Sequence, residues 1–226
     1  MQLTNTHQKR KITYARNPLV EGDTQYSVHG LGLLSDHDIK DIIEEVDSFI
    51  SPFLPTLVRE VDGTPIISKG LSSAGYDASL AGEVLLITSV DTTVLMDPKR
   101  FNGQATALER HHDDDGSEYV ILPPNGFVLG HTVETFHIPS NVTATCIGKS
   151  TYARNGIHIL VTPLEPGWKG QVTLEIRNEL DLPTKLYINE GICQFIFQTI
   201  STIVDTDYQD RGGKYQGQSG VTLPKV

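Results

Sequence analysis

The chain has 226 residues, of which 38% are hydrophobic and 20% charged, enough for one domain with a sizeable core or at most two small ones. A formal net charge of -10 excludes the basic surface of a nucleic-acid coat or a membrane-surface binder, yet one local basic cluster would still suffice for a phosphate-bearing small molecule. Its two cysteines, Cys146 and Cys193, cannot build a disulfide framework or a thiolate metal cage, and no stretch resembles a secretory signal or the roughly 20 apolar residues of a membrane span, so a cytoplasmic protein is expected.

Residues 1–30 are polar and aperiodic, with a small basic cluster at Lys9, Arg10 and Lys11, and read as an N-terminal extension without an assigned role. Ser35 then stands three residues before Asp38, the spacing of a capping box. Ile39, Ile42, Ile43 and Val46 follow at helical spacing with acidic residues on the other face, and Pro52 and Pro55 end the run. This predicts an amphipathic packing helix.

From Leu71 onward the pattern is one of short strands. Between Asp97 and Glu118, His111, His112 and Asp113 to Asp115 invite a metal reading, but adjacent ligands on an aperiodic loop rarely converge on one ion. A solvated loop is expected there. Pro123-Pro124-Asn125-Gly126 reads as a turn. Strands are then predicted at 127–129, 132–138, 142–147, 157–161, 171–177, 185–188 and 192–197, each enriched in β-branched types. No βαβ rhythm appears, which points to an antiparallel barrel or sandwich.

Two stretches carry chemistry. Gly148-Lys149-Ser150-Thr151 has the ending of a phosphate loop, but Thr143 stands where that motif needs glycine, and strand pattern lies on both sides. What remains is a lysine, two hydroxyls and Arg154, which could serve a polyphosphate by charge-assisted hydrogen bonds or could form a surface turn. In 171–177, Val172, Leu174 and Ile176 alternate with Gln171, Thr173, Glu175 and Arg177, so Glu175 lies on the polar face of a strand. That face either meets solvent or lines a pocket walled by the Pro-rich segment from Thr162 to Trp168.

These motifs, taken together, resemble the dCTP deaminase family, trimeric relatives of the dUTPases. The resemblance runs from about Leu71 to Val221 and rests on GKSTYAR, VTPLEPGWKGQVTLE, EGICQFIF and KYQGQSGV in that order, with Leu34-Ser35-Asp36 matching the start of the helix. It implies a mainly β fold, a distorted antiparallel β-barrel of the dUTPase-like or β-clip type with one N-terminal helix. Residues 31–207 would form this domain, and 208–226 a C-terminal lid or tail. The resemblance also implies a homotrimer with nucleotide sites between subunits, a triphosphate chelated to Mg2+, and no catalytic zinc or protein metal ligands. By position, Glu175 matches the family's general acid/base, and Ser150 and Arg154 its supporting polar residues. Lys149, Ser150, Thr151, Tyr152, Ala153 and Arg154 match nucleotide contacts, as do Thr173, Leu174 and Glu175, and more distally Gln194, Tyr208, Lys214 and Gln218. Glu165 falls where many members place an aspartate near the sugar, and Asp77, in Gly75 to Leu80, where an aspartate orders the subunit's site.

The implied chemistry suits these residues. Exchanging the 4-amino group of cytosine for oxygen needs one group that takes a proton from water and returns it to the ring, with a pKa above the ~4.3 of a free glutamate. Burial of Glu175 would raise its pKa, and a nearby Arg154 would lower it. Zinc-dependent deaminases use a Pro-Cys-x-x-Cys signature that this chain lacks. Three functions stay open: deamination of dCTP to dUTP and ammonia, a bifunctional deaminase-pyrophosphatase or dUTPase with Glu165 activating a second water, and a non-catalytic nucleotide-binding module.

Overall fold

A computed structural model describes residues 32–46, 48–88 and 95–225. The N-terminal extension and its basic cluster lie outside them. Helix α1 (Asp36–Glu45) forms where expected: the Ser35 hydroxyl accepts from the Asp38 amide at 3.3 Å, and the Asp38 carboxylate accepts from the Ser35 amide at 2.9 Å. Such a cap stabilises a helix by about 1 kcal/mol. Ile39 and Ile42 are buried.

The strands are β1 (Ile50–Ser51), β2 (Val58–Val61), β3 (Thr64–Ser72), β4 (Gly75–Ser79), β5 (Leu85–Thr88), β6 (Gln104–Ala107), β7 (Arg110–His112), β8 (Glu118–Leu122), β9 (Phe127–His137) and β10 (Val142–Gly148). A single helical turn, α2 (Ser150–Ala153), precedes β11 (Ile157–Leu160), β12 (Lys169–Asn178), β13 (Thr184–Tyr187) and β14 (Gly191–Thr199). They form three sheets, ordered β11-β12-β9-β5-β6 with β1 also on β9, β10-β14-β4-β3-β2, and β13-β8-β7. Every ladder between these strands is antiparallel. This is the expected mainly β, distorted barrel, with its wall divided among sheets rather than closed by one continuous ladder.

The first two sheets face each other across an aromatic cluster. Phe136 of β9 lies 4.5 Å from Phe195 and 6.4 Å from Phe197 of β14, and Phe49 lies 4.9 Å from Phe197, ring centre to ring centre. Phe49, Phe136, Phe195 and Phe197 are fully buried, each contributing roughly 1.5–3 kcal/mol.

Three local expectations differ from the structure. Strands begin before Leu71, because Asp62 (φ 52°) and Gly63 (φ 84°) make a two-residue hairpin loop between Val61 and Thr64. Both positions need left-handed backbone, which Asp-Gly supplies. The predicted strands at 127–129 and 132–138 are one strand, β9, because Gly130 and His131 stay paired with Leu174 and Thr173 of β12. The expected loop at 97–118 contains β6 and β7; His111 stacks on Tyr119 with 5.6 Å between ring centres, and Asp113 pairs with Lys185. No described helix is long and apolar enough to cross a membrane.

Candidate active site

The registers of two ladders assemble a polar cluster around Asp77. On β14, Gln194 stands opposite Asp77 of β4, and Cys193 stands opposite Gly148 at the end of β10, which delivers Lys149 beside them. Asp77 is only 4% exposed. Its carboxylate is ion-paired with the Lys149 ammonium, which also donates to the Ser68 hydroxyl at 3.0 Å. Gln194 Nε2 donates to the other Asp77 oxygen at 3.0 Å and to Ser72 Oγ at 3.1 Å. A buried pair of this kind holds when the remaining lone pairs are hydrogen-bonded, as they are here.

Strands flank Gly148 to Thr151 on both sides as expected, β10 and β11, and between them Lys149 caps the one turn of α2. The Ala153 amide donates to the Lys149 carbonyl at 2.9 Å and that of Arg154 to Ser150 at 3.1 Å. Gly156, at φ 71°, then redirects the chain into β11. Tyr152 points inward, its hydroxyl accepting from the Tyr187 amide at 2.9 Å, and burial pushes the phenol above its usual range. Ser150, Thr151, Ala153 and Arg154 are exposed. Thr151 lines a cavity of about 440 Å³ with Arg59, Ser68, Asp115, Tyr187 and Glu190.

A second cavity, of about 960 Å³, opens over β12. It gathers Glu175, Thr173, Glu165, Tyr208 and Gln218 against an apolar wall that includes Phe127, Leu129, Leu164 and Trp168. Glu175 is half-buried, as the alternation of β12 dictates. Across the sheet it stands between Leu160 of β11 and Leu129 of β9, and directly paired residues share a face. Burial among such neighbours pushes its carboxyl above the ordinary glutamate value, offset in part by its own backbone amide. Arg154 is not among the groups acting on it. The Glu165 carboxylate is ion-paired with Arg211 of the tail, whose guanidinium lies 5.0 Å from the Tyr208 ring centre.

The tail runs along β12. The Gly217 amide donates to the Lys169 carbonyl at 2.8 Å, and the Gln171 amide to the Gln218 carbonyl at 3.0 Å, making a short parallel bridge between Gly170 and Gln218. Tyr215, Thr222 and Pro224 also line the larger cavity. Lys214 is exposed and its ammonium donates to the Lys225 carbonyl at 2.6 Å.

Of the residues singled out in the sequence, the larger cavity therefore brings together Glu165, Thr173, Glu175, Tyr208 and Gln218. Leu174 is buried in the core and has only backbone to offer. Lys149 and Gln194 meet at Asp77, while Ser150 and Arg154 are exposed and line neither cavity. Sequence reasoning missed Asp97, which lines the larger cavity from an aperiodic segment without a signal, and placed Tyr215, also in its wall, only within the tail motif KYQGQSGV. It also passed over Gln171, which shares the polar face of β12 with Glu175 and was legible from the same alternation. Among the described residues no three His, Cys, Asp or Glu side chains converge to hold a metal ion.

A family model described as dCTP deaminase-like matches residues 33–200. The chain is 49% identical over 196 residues to a dCTP deaminase of Acidithiobacillus ferrooxidans, covering 87% of this chain and all of that one. It is 48% identical over 195 residues to a dCTP deaminase of Laribacter hongkongensis, covering 86% of this chain and all of the relative. Among solved structures, the crystal structure of 2'-deoxycytidine 5'-triphosphate deaminase from Agrobacterium tumefaciens is similar in fold, with a TM-score of 0.52 at 16% identity, over 75% of this chain and 48% of that one. On the extent of these matches, the chain belongs to the dCTP deaminase-like family.

Proposed function

We propose that the protein is a dCTP deaminase, which converts dCTP and water to dUTP and ammonia. The observation that carries this reading is Glu175, a carboxyl raised by burial in the larger cavity, within a chain 49% identical to a dCTP deaminase. Water adds to C4 of the cytosine ring while the Glu175 carboxylate takes its proton and passes it to the ring nitrogen. The same carboxyl then carries a proton from the new hydroxyl to the amine, the C4–N bond breaks, and ammonia leaves as the carbonyl forms. A pKa above the ordinary glutamate value suits a group that must both take and give that proton. Ser150 and Arg154 would orient the water and the ring, and Lys149, Thr151, Ala153 and the Tyr152 backbone would meet the phosphates. Thr173, Leu174, Glu165, Gln194, Tyr208, Lys214 and Gln218 complete the proposed nucleotide contacts.

Ser150 and Arg154 do not line the cavity of Glu175 in a single chain, and Leu160, beside Glu175, is left 66% exposed. Both facts favour a homotrimer in which a neighbouring copy supplies Ser150 and Arg154. Mg2+ would arrive on the triphosphate, whose oxygens suit this hard cation. The division into an extension at 1–30, a domain at 31–207 and a lid at 208–226, and a cytoplasmic location, complete the reading. Glu165 is one methylene longer than the usual aspartate, and a ~1 Å misplacement can cost ~100-fold in rate, which favours deamination alone over a bifunctional enzyme that must hold a second water there. Anion-exchange analysis of a dCTP and magnesium incubation tests the proposal. A dUTP peak equal to the ammonia released is expected; dUMP and pyrophosphate in equal amounts would establish the bifunctional alternative, and neither product would refute catalysis.

A further inference from the structure

Three consecutive tail amides are received by three side chains of the body. The Gly220 amide donates to Gln171 Oε1 at 2.8 Å, that of Val221 to Glu83 Oε2 at 2.9 Å, and that of Thr222 to Thr173 Oγ1 at 3.2 Å. Water would satisfy these amides on a free tail, so a set of protein acceptors at matching spacing needs a local cause.

Gln171 supplies it. The pairing of β12 with β9 slips between Gln171 and Thr173. At this irregularity the Val172 amide turns to the Thr132 hydroxyl at 2.9 Å, and Gln171 Nε2 donates to the Thr132 and Val133 carbonyls, both at 3.2 Å. With its two amide hydrogens engaged there, the side chain can present only its oxygen outward, where Ser219 Oγ donates to it at 3.3 Å beside the Gly220 amide. The Gln171 backbone is bound as well, its amide to the Gln218 carbonyl at 3.0 Å and its carbonyl to Gln218 Nε2 at 2.7 Å. Beside it, Glu83 Oε2 lies 3.7 Å from His131 Nε2. Gly220, at φ 70°, permits this close approach, for a Cβ there would sit 3.0 Å from Glu83 Oε2.

We infer that Gln171, with Glu83 beside it, is a positioning residue that clasps the tail across the larger cavity. Thr222 and Pro224, immediately beyond the clasp, are cavity walls. Gly220, Val221 and Thr222 are held through their backbone amides, so the clasp fixes where the tail lies while Tyr215 and Gln218 line the cavity. Its kinetic consequence rests on the deaminase reading; its structural consequence does not.

The test is amide hydrogen exchange on the full chain, with and without dUTP, followed by dCTP kinetics. Gly220 and Val221 should be protected in the parent protein. Gln171→Ala should speed exchange at Gly220 by roughly tenfold and raise KM for dCTP by a similar factor, the scale of one or two lost hydrogen bonds, with kcat changed less. Glu83→Ala, at a half-exposed side chain, should act in the same direction at Val221. Glu83→Gln, which keeps an acceptor oxygen, should restore protection. Unprotected amides in the parent, or unchanged exchange and KM in both alanine variants, would overturn the clasp. Protected amides in a protein that releases no ammonia would sustain the clasp and refute the deaminase reading alone.

Discussion

Around Asp77 each charged group meets a partner: Lys149 answers the carboxylate, and Gln194 and Ser68 take up remaining hydrogen bonds. Around Glu175 the cavity offers a carboxyl flanked by leucines, and among the described residues no side chain donates to it. The first arrangement fixes geometry, because a satisfied buried network holds one conformation. The second stores reactivity, because a carboxyl with little solvation and no cation from its own chain binds a proton more readily than it would in water. Position and chemistry are thus assigned to different parts of the molecule, and each part can be disturbed separately.

The largest effect should come from breaking the satisfied cluster. Asp77→Ala strands the Lys149 ammonium, which is only 11% exposed, and should destabilise the fold by about 3–5 kcal/mol in chemical denaturation. A loss under ~1 kcal/mol would show that the pair is not buried in solution.

Glu175→Gln strikes the other part. It should leave the stability intact and cut turnover by at least ~100-fold, the scale of a positioned acid/base. Near-normal turnover would remove Glu175 from the mechanism. In the parent enzyme, kcat/KM should fall as pH drops through the raised pKa of Glu175, a limb lying above the ~4.3 of a free glutamate. Loss of the base form is the cause, so a limb at the free-glutamate position would contradict the burial argument.

Removing the tail should matter less. Deletion from Gly212 opens one wall of the cavity but leaves the aromatic cluster untouched. KM should rise by roughly tenfold or more while the melting temperature stays nearly constant, since a lid acts through the bound state. Unaltered kinetics would refute the lid.

The smallest effect sharpens the comparison with a third carboxylate. Glu134 of β9 is 2% exposed and accepts from the Ser79 amide at 2.9 Å and hydroxyl at 3.1 Å. Burial nevertheless raises its pKa. A raised folded value means that its contribution to stability is fully present below the ordinary value of ~4.3 and is lost as pH rises through the folded one. Glu134→Gln should therefore be modestly more stable than the parent at neutral pH, with the gap closing below about pH 4. Equal melting temperatures across that range would show that Ser79 offsets the burial in full.

Much of this architecture could be read along the chain. The capping box at Ser35 and Asp38, the alternation that turns Glu175 to the polar face of β12, and the turn at Asn125 are set by neighbours within a few residues, and local rules capture them. So is the Asp62-Gly63 hairpin, a legible signal that was passed over in favour of a later start to the sheet. Gly130 was the opposite case. A residue that weakens an isolated strand stays in β9 because β12 pairs on one side and β5 begins on the other.

The site divides along the same line. Residue types and spacing, with the resemblance they carry, were enough to nominate Glu175, Ser150 and Arg154. Within one chain, burial rather than that chain's own Arg154 governs the pKa of Glu175, because the fold stands Leu160 and Leu129 beside the carboxyl and keeps that arginine out of its surroundings. The meeting of Asp77, Lys149 and Gln194, distant along the chain, depends on two ladder registers that no local pattern encodes. The docking of tail amides on Gln171 and Glu83 depends on a slip in pairing between β9 and β12. Sequence determines which chemistry a side chain can offer; desolvation and partners are properties of the space around it, and that space exists only once distant strands have packed.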